Sequence, residues 1–325
     1  MKVAFVHKDI IPNKSSGGFS RAYLNIGKEM INLGHEVFYI TKNNHIPADN
    51  DFGVFFYYSN QEDIKKIVLE NTIDIIETPS WGAELYKYRT GPYCVRVDIP
   101  VRYYTNNEKR IQEEEYMVTH ANGLIGISNW CCQEWGAITG KHICRIPYGG
   151  ITEDCVFAKK KPNSIVWVGK ATWMKGIDIL ADYAPILKSK GYNITCILTR
   201  INNAYEDSSA IKKLIDCNVK IVTDLSQVEY CKILSESQYI LSTARKEGFC
   251  LAVMEGINHH AIPIVPWWVG GTLDFVNNNN GIVYQSVNDI INHFNTDIRF
   301  DKLETYTWKN TAIKTLKIYE KVLGR

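Results

Sequence analysis

KVAFVH at residues 2–7 and FSRAYLNIGKEMINLGH at residues 19–35 decide the fold. The first is an unbroken apolar run of strand length with no polar alternation, the pattern of a strand buried on both faces. The second repeats apolar residues at helical spacing until Gly34, where a glycine can end a helix. Together they make one strand–helix unit. The order recurs with strands at EVFYIT (36–41), GVFFYY (53–58), DIIET (74–78), YCVRVD (93–98) and GLIGIS (123–128). Helices are predicted near 61–70, 81–88, 106–121 and 129–138. Strands that alternate with helices form a parallel, doubly wound α/β sheet.

A polar, lysine-rich stretch, ITEDCVFAKKKPNS (151–164), interrupts the series, and a new apolar strand, IVWVGK (165–170), starts a second one. It continues through GIDILADYAPILKS (176–189), NITCILT (193–199), VKIVTDL (219–225), VEYCKILSES (228–237), QYILST (238–243), LAVMEGINHH (251–260), IPIVPW (262–267) and GIVY (281–284). The expected domains are therefore 1–155 and 156–302, two Rossmann-like layers facing a cleft. The segment 303–325 repeats apolar residues at near-helical intervals, and it is expected as a terminal helix packing back on the first domain.

Composition narrows the class. With 45% hydrophobic and 22% charged residues, the 325-residue chain has the makeup of a globular protein. Lys and Arg number 37 against 35 Asp and Glu, with no basic run, so no strong nucleic-acid or polybasic membrane footprint is present. No window holds the ~18 apolar residues of a membrane span and the start lacks a signal-peptide core, so a cytoplasmic location is expected. Nine cysteines without a CxxC pair read as free thiols rather than a disulfide frame or a metal cage.

The stretch ARKEGFCLAVMEG (244–256) follows the strand QYILST and opens a helix near Cys250. Open α/β sheets gather ligands at the carboxyl ends of their strands. Amides of Gly248, Phe249, Cys250 and Leu251 stand where a helix N-terminus favours an anion, and Gly248 admits close approach. Glu247 lies in the loop, and Glu255 lies within the helix. Carboxylates accept hydrogen bonds and suit hydroxyl-rich ligands. A nucleotide sugar has that order of groups: sugar hydroxyls, phosphates, ribose hydroxyls. On spacing alone, a capping charge and a solvated helix residue are equally good readings.

Glu247 to Glu255 resembles the E-x7-E motif of retaining GT-B glycosyltransferases of family 4, in the form E-G-F-x-L-x-x-x-E-[AG]. VWVGKATWMKGIDIL (166–180) resembles that family's phosphate segment, with Lys170, Lys175 and Gly176 at its marked positions. IPYGGI (146–151) resembles its linker, with Tyr148 where Asn is usual, and PWWVGGTLDFV (266–276) resembles its G-G-x-x-E loop, with Asp274 for Glu. The resemblance covers most of the second half and extends to the closing helix. It implies an N-terminal acceptor-binding domain and a C-terminal nucleotide-sugar domain. It also implies that Lys170 and Lys175 neutralise the donor diphosphate, Glu247 holds sugar hydroxyls and Glu255 binds the ribose. No metal or other cofactor is required on that reading, because fixed cations offset the charge of the leaving nucleoside diphosphate.

In the first domain, Gly17 and Gly18 open the first helix, and the family's Gly-Gly loop approaches the donor phosphates. No third glycine follows, so the G-x-G-x-x-G of nicotinamide enzymes is absent. Asp98 stands where many members carry a histidine against the donor sugar; it is a candidate for stabilising charge at the reacting carbon or, alternatively, a partner of Arg96 or Arg102. His7, His259 and His260 read as structural, and Trp81, Trp267 and Trp268 as packing or as stacking surfaces.

The catalytic candidates are thus Glu247, Asp98 and Lys175. The expected reaction is retaining transfer of a UDP- or GDP-linked sugar to an acceptor hydroxyl, on a glycan or glycoconjugate. A modified DNA base as acceptor, a non-hydrolysing nucleotide-sugar epimerase and a non-catalytic sugar-binding module are the alternatives.

Overall fold

The computed structural model describes residues 1–10, 18–42, 52–150, 158–199, 207–294, 303 and 305–325. It divides into two units, Met1–Gly149 with Thr305–Arg325, and Gly150–Glu304.

In unit 1 the elements run β1 (Lys2–Val6), α1 (Gly18–Asn32), β2 (Glu36–Thr41), β3 (Val54–Tyr57), α2 (Gln61–Glu70), β4 (Ile75–Pro79), β5 (Tyr93–Val97), α3 (Glu108–His120), β6 (Gly123–Gly126), α4 (Asn129–Thr139) and β7 (Cys144–Arg145). The described strands form one parallel sheet of seven, ordered β3-β2-β1-β4-β5-β6-β7. Its central strands are sealed from water: Val3, Ala4, Phe5 and Val6 of β1 are each 0% exposed. Burial of each such valine or phenylalanine contributes roughly 1.5–3 kcal/mol.

Unit 2 runs β8 (Lys161–Gly169), α5 (Ile177–Ser189), β9 (Asn193–Leu198), α6 (Ser208–Asp216), β10 (Lys220–Val222), α7 (Gln227–Glu236), β11 (Ser237–Leu241), α8 (Leu251–Asn258), β12 (Ile262–Pro266), β13 (Ile282–Tyr284) and α9 (Val287–His293). Its six described strands are also parallel, ordered β10-β9-β8-β11-β12-β13. Trp167 of β8 and Ile264 of β12 pack with Leu180 and Leu187 of α5 on one face. Val166 and Ile240 pack with Tyr230 and Leu234 of α7 on the other.

The chain then returns to unit 1 as α10 (Trp308–Val322), which lies along α1. A buried polar cluster fixes it there. Arg96 of β5 is fully buried and grips Glu77 of β4 through Nε–Oε1 at 2.7 Å and Nη2–Oε2 at 3.2 Å. From α10, the Tyr319 hydroxyl donates to Glu77 Oε2 (2.6 Å), and Thr315 Oγ1 accepts from Arg96 Nη2 (2.9 Å). Gly123 makes room for this helix: a Cβ there would stand 3.0 Å from Val322 and 3.3 Å from Ile318.

Two local expectations fail. Residues 81–88 form successive turns instead of a helix, because Gly82 (φ 101°) and Ala83 (φ 50°) take left-handed conformations that interrupt helical bonding. The helix α6 was not foreseen; its N-cap is Asp207, whose carboxylate accepts from the Ala210 amide at 2.9 Å.

Candidate active site

In unit 2 the strand order runs outward in one direction from β8 and in the other from β11, so the connections leaving these two strands diverge and open a crevice at their carboxyl ends. The two loops at that crevice carry the sequence-predicted residues. After β8 come Lys170, which is exposed, and a single 3-10 turn, Trp173–Lys175. After β11 comes the segment 242–250 that ends in α8.

The two loops are tied together at several points. Gly176 (φ 68°) lies so close to Thr243 that a Cβ would sit 1.9 Å from the Thr243 carbonyl oxygen, a position open only to glycine. The Thr243 hydroxyl donates to the Gly176 carbonyl (2.7 Å) and accepts from Trp167 Nε1 (2.9 Å), which anchors the turn to the core. Arg245 donates its amide to the Met174 carbonyl (2.9 Å) and its Nη1 to the Trp173 carbonyl (2.6 Å). Its guanidinium grips Asp178 through two bonds of 2.8 and 2.6 Å, which hold the Asp178 carboxyl below the usual range. Sequence reasoning missed this clamp, although Arg245 sits in the quoted stretch, because nothing local signals a partner 67 residues upstream.

Lys175 and Glu247 meet at the centre, with Nζ 2.5 Å from Oε1. Glu247 is 7% exposed and is fixed at its backbone: its amide donates to Val269 O (2.8 Å), and its carbonyl accepts from Gly271 N (2.9 Å). A buried carboxylate needs such a partner, since an isolated charge out of water is costly. The loop Gly270–Asp274, with Asp274 half-buried, thus braces Glu247 from the β12 side.

The helix starts at Leu251, beside the expected Cys250, which is its left-handed N-cap (φ 65°). Burial and then the Glu247 charge push the Cys250 thiol well up, so it stays protonated at neutral pH. Gly248 and Phe249 are both buried beneath this helix entry. Glu255 is the fifth residue of α8, about 6 Å down the helix axis from Leu251. It accepts from the Tyr230 hydroxyl of α7 at 2.6 Å, a contact that nothing in the local sequence announces.

Unit 1 holds the remaining candidates. Gly17 lies outside the described residues, and Gly18 is the first residue of α1. Asp98 follows β5; its Oδ1 accepts from the Ile99 amide (2.8 Å), and its own amide donates to Ser80 Oγ at the end of β4 (3.3 Å). The suggested alternative partners are engaged elsewhere: Arg96 with Glu77, and Arg102 with Glu115. Beside Asp98 lies a residue that the sequence reading passed over. Glu114 is 2% exposed, accepts from the Val101 amide (2.7 Å) and keeps Oε1 buried without a hydrogen-bond partner among the described residues. Burial, with nearby Glu115 and Asp98, raises its pKa to about 8 against the pull of Val101 and Ser80. His7 and His259 are buried, and His259 Nδ1 lies 2.8 Å from the Glu255 carbonyl, a structural role at the end of α8.

Among the described residues, no three His, Cys, Asp or Glu side chains are grouped to hold a metal, and no helix is long and apolar enough to cross a membrane.

Residues 154–296 match the model of the family described as glycosyl transferases group 1. No curated protein matches the sequence. Among solved structures, the chain is similar over 99% of its length to 98% of a glycosyltransferase from Rickettsia africae ESF-5, at 16% identity and a TM-score of 0.72. A sucrose-phosphate synthase from Thermosynechococcus elongatus is similar over 99% of each chain, at 14% identity and a TM-score of 0.78. Anabaena Alr3699/HepE in complex with UDP and glucose is similar over 100% of this chain and 97% of its own, at 14% identity and a TM-score of 0.72. At such identities the structural likeness carries the fold alone, and the family match covers residues 154–296. The chain has the GT-B fold and, with a glycosyl transferases group 1 match across residues 154–296, it is a glycosyltransferase.

Proposed function

We propose that the protein is a retaining glycosyltransferase of the family 4 type, which moves a sugar from a nucleoside-diphosphate sugar to a hydroxyl of a glycan or glycoconjugate. The observation that carries this reading is the 2.5 Å pairing of Lys175 with the buried Glu247 at the divergence of β8 and β11. A cation and a hydroxyl-seeking carboxylate are held there side by side, next to a helix N-terminus. The Anabaena protein in complex with UDP and glucose has the same fold, which supports a nucleotide-sugar donor.

The diphosphate rests on the first-turn amides of α8 and on Lys170 and Lys175, and Gly248 lets it approach the backbone. Lys175 carries three N–H donors, so it keeps Glu247 while it takes a phosphate oxygen. Glu247 accepts from donor-sugar hydroxyls, and Glu255 accepts from the ribose. As the glycosidic bond breaks, the electron pair goes to the phosphate oxygen, and the fixed lysine charges stabilise it there more than in the ground state. The departing phosphate takes the proton of the incoming hydroxyl on the same face of the sugar, which preserves configuration. No metal is assigned a role.

The test is nucleotide release from UDP-, GDP-, ADP- and dTDP-sugars with polysaccharide, lipid and DNA acceptors, and with none. Release that depends on one glycan acceptor, with the product anomer matching the donor, is expected. Interconversion of the donor without acceptor identifies an epimerase instead, and release only with DNA identifies a base-modifying enzyme.

A further inference from the structure

Eight tryptophans occur in the chain, and only Trp173 (60%) and Trp267 (56%) are exposed, the other six being buried or half-buried. These two are not scattered. Trp173 stands on the loop after β8 and Trp267 follows the last residue of β12, and β8 and β12 are the two neighbours of β11, whose loop carries Glu247. Their strand ends are separated by two strand spacings, about 10 Å. An indole left in water forfeits roughly 1.5–3 kcal/mol of burial, so two at one sheet edge call for an occupant.

Both rings are held in place rather than loose. Arg245 lies over one face of Trp173, its guanidinium carbon 4.3 Å from the ring centroid, and is itself fixed by Asp178. Trp267 stands edge-on to Trp268 (6.2 Å), which stands edge-on to the buried Tyr284 (5.9 Å). Rigid aromatic surfaces lose little entropy when a ligand settles on them.

The surrounding charge selects the ligand. Arg245, the cation stacked on Trp173, is matched by Asp178 at 2.6 Å, and Lys175, two residues further on, is matched by Glu247 at 2.5 Å. With its stacked Arg245 already held by Asp178, the Trp173 ring offers a polyphosphate strand less than the lysines assigned to the donor diphosphate do. The charged groups beside the ring also break up the contiguous apolar patch that a protein partner would require. A neutral ligand with an apolar C–H face and a rim of hydroxyls fits both the ring and the flanking carboxylates.

We propose that Trp173 and Trp267 are stacking platforms for pyranose rings of a glycan, which unit 2 engages at the edges of the Lys175–Glu247 site. The proposal rests on the glycosyl-transfer reading and adds a carbohydrate subsite to it.

Wild type, Trp173→Ala, Trp267→Ala, the double alanine variant and Trp173→Phe are compared on an array of gluco-, galacto- and manno-oligosaccharides in the presence of UDP, with an oligothymidylate as control. UDP affinity is measured separately by calorimetry. The wild type is expected to hold at least one oligosaccharide class. Each alanine variant should weaken it about tenfold, and the phenylalanine variant should remain within about threefold, as aromatic contacts of this kind give. UDP affinity should stay within about twofold in all, which also reports correct folding. Glycan binding that survives the double alanine change, absence of glycan binding by the wild type, or tighter binding of the oligothymidylate would each overturn the proposal. Absence of nucleotide binding by the wild type counts instead against the donor reading, so the two failures are separable.

Discussion

Lys175 and Glu247 are partly and almost fully buried, and each keeps the other from being an uncompensated charge. Lys175→Ala should therefore act twice, removing a phosphate contact and leaving Glu247 unpaired. A fall of about 10²–10³ in kcat/KM is expected, as when one fixed donor to developing charge is lost. Steady-state kinetics with a saturating acceptor check it. Tyr230→Phe removes only the hydroxyl that orients Glu255. It should raise the donor KM about three- to tenfold with kcat little changed, as expected for loss of a binding contact of about 1 kcal/mol. Glu114 gives a pH signature. Its folded pKa, about 8, lies above that of an unfolded glutamate, so the native state holds the extra proton between the two values. Its contribution to stability is complete below about pH 4.5 and is lost as the pH rises through about 8. Urea unfolding of wild type and Glu114→Gln from pH 5 to 9 should show the wild-type stability declining relative to the variant, by about 3–5 kcal/mol in total. Parallel pH profiles would remove this assignment.

At the scale of elements, Gly176 is the joint on which the site depends. Gly176→Ala puts a methyl into the Thr243 carbonyl and strains a left-handed residue, so Lys175 must move. A destabilisation of about 2–4 kcal/mol with loss of nucleotide binding is expected from thermal melting and calorimetry. This joint also marks how far the sequence is readable. The alternation that begins with KVAFVH and resumes with IVWVGK is written locally in apolar periodicity, and so is the glycine-bounded entry to α8. The sequence predicts a helix near 81–88, where the left-handed Gly82 and Ala83 give turns instead. The site was legible as residue types at the ends of strands. Its internal connections were not: Arg245 to Asp178 and Tyr230 to Glu255 join residues distant in sequence, which only the folded chain brings together.

At the scale of the whole molecule, the chain leaves unit 1 near Gly149, builds unit 2 and returns at Thr305, so unit 1 is completed by residues that follow unit 2 in sequence. The Arg96–Glu77 pair is what α10 closes upon, through Thr315 and Tyr319. Glu77→Ala leaves a fully buried guanidinium without its counter-charge and should cost about 3–5 kcal/mol. Unit 2 keeps its own contacts, so nucleotide binding below the melting temperature should persist in that variant. The central claim, that the donor diphosphate sits at the divergence of β8 and β11, is tested most directly by a crystal structure with a bound nucleoside diphosphate. The expected result places the phosphates within hydrogen-bond distance of Lys175 Nζ and the first-turn amides of α8, with the ribose hydroxyls on Glu255. Phosphates bound elsewhere, with the Lys175–Glu247 pair and Glu255 untouched, would contradict it.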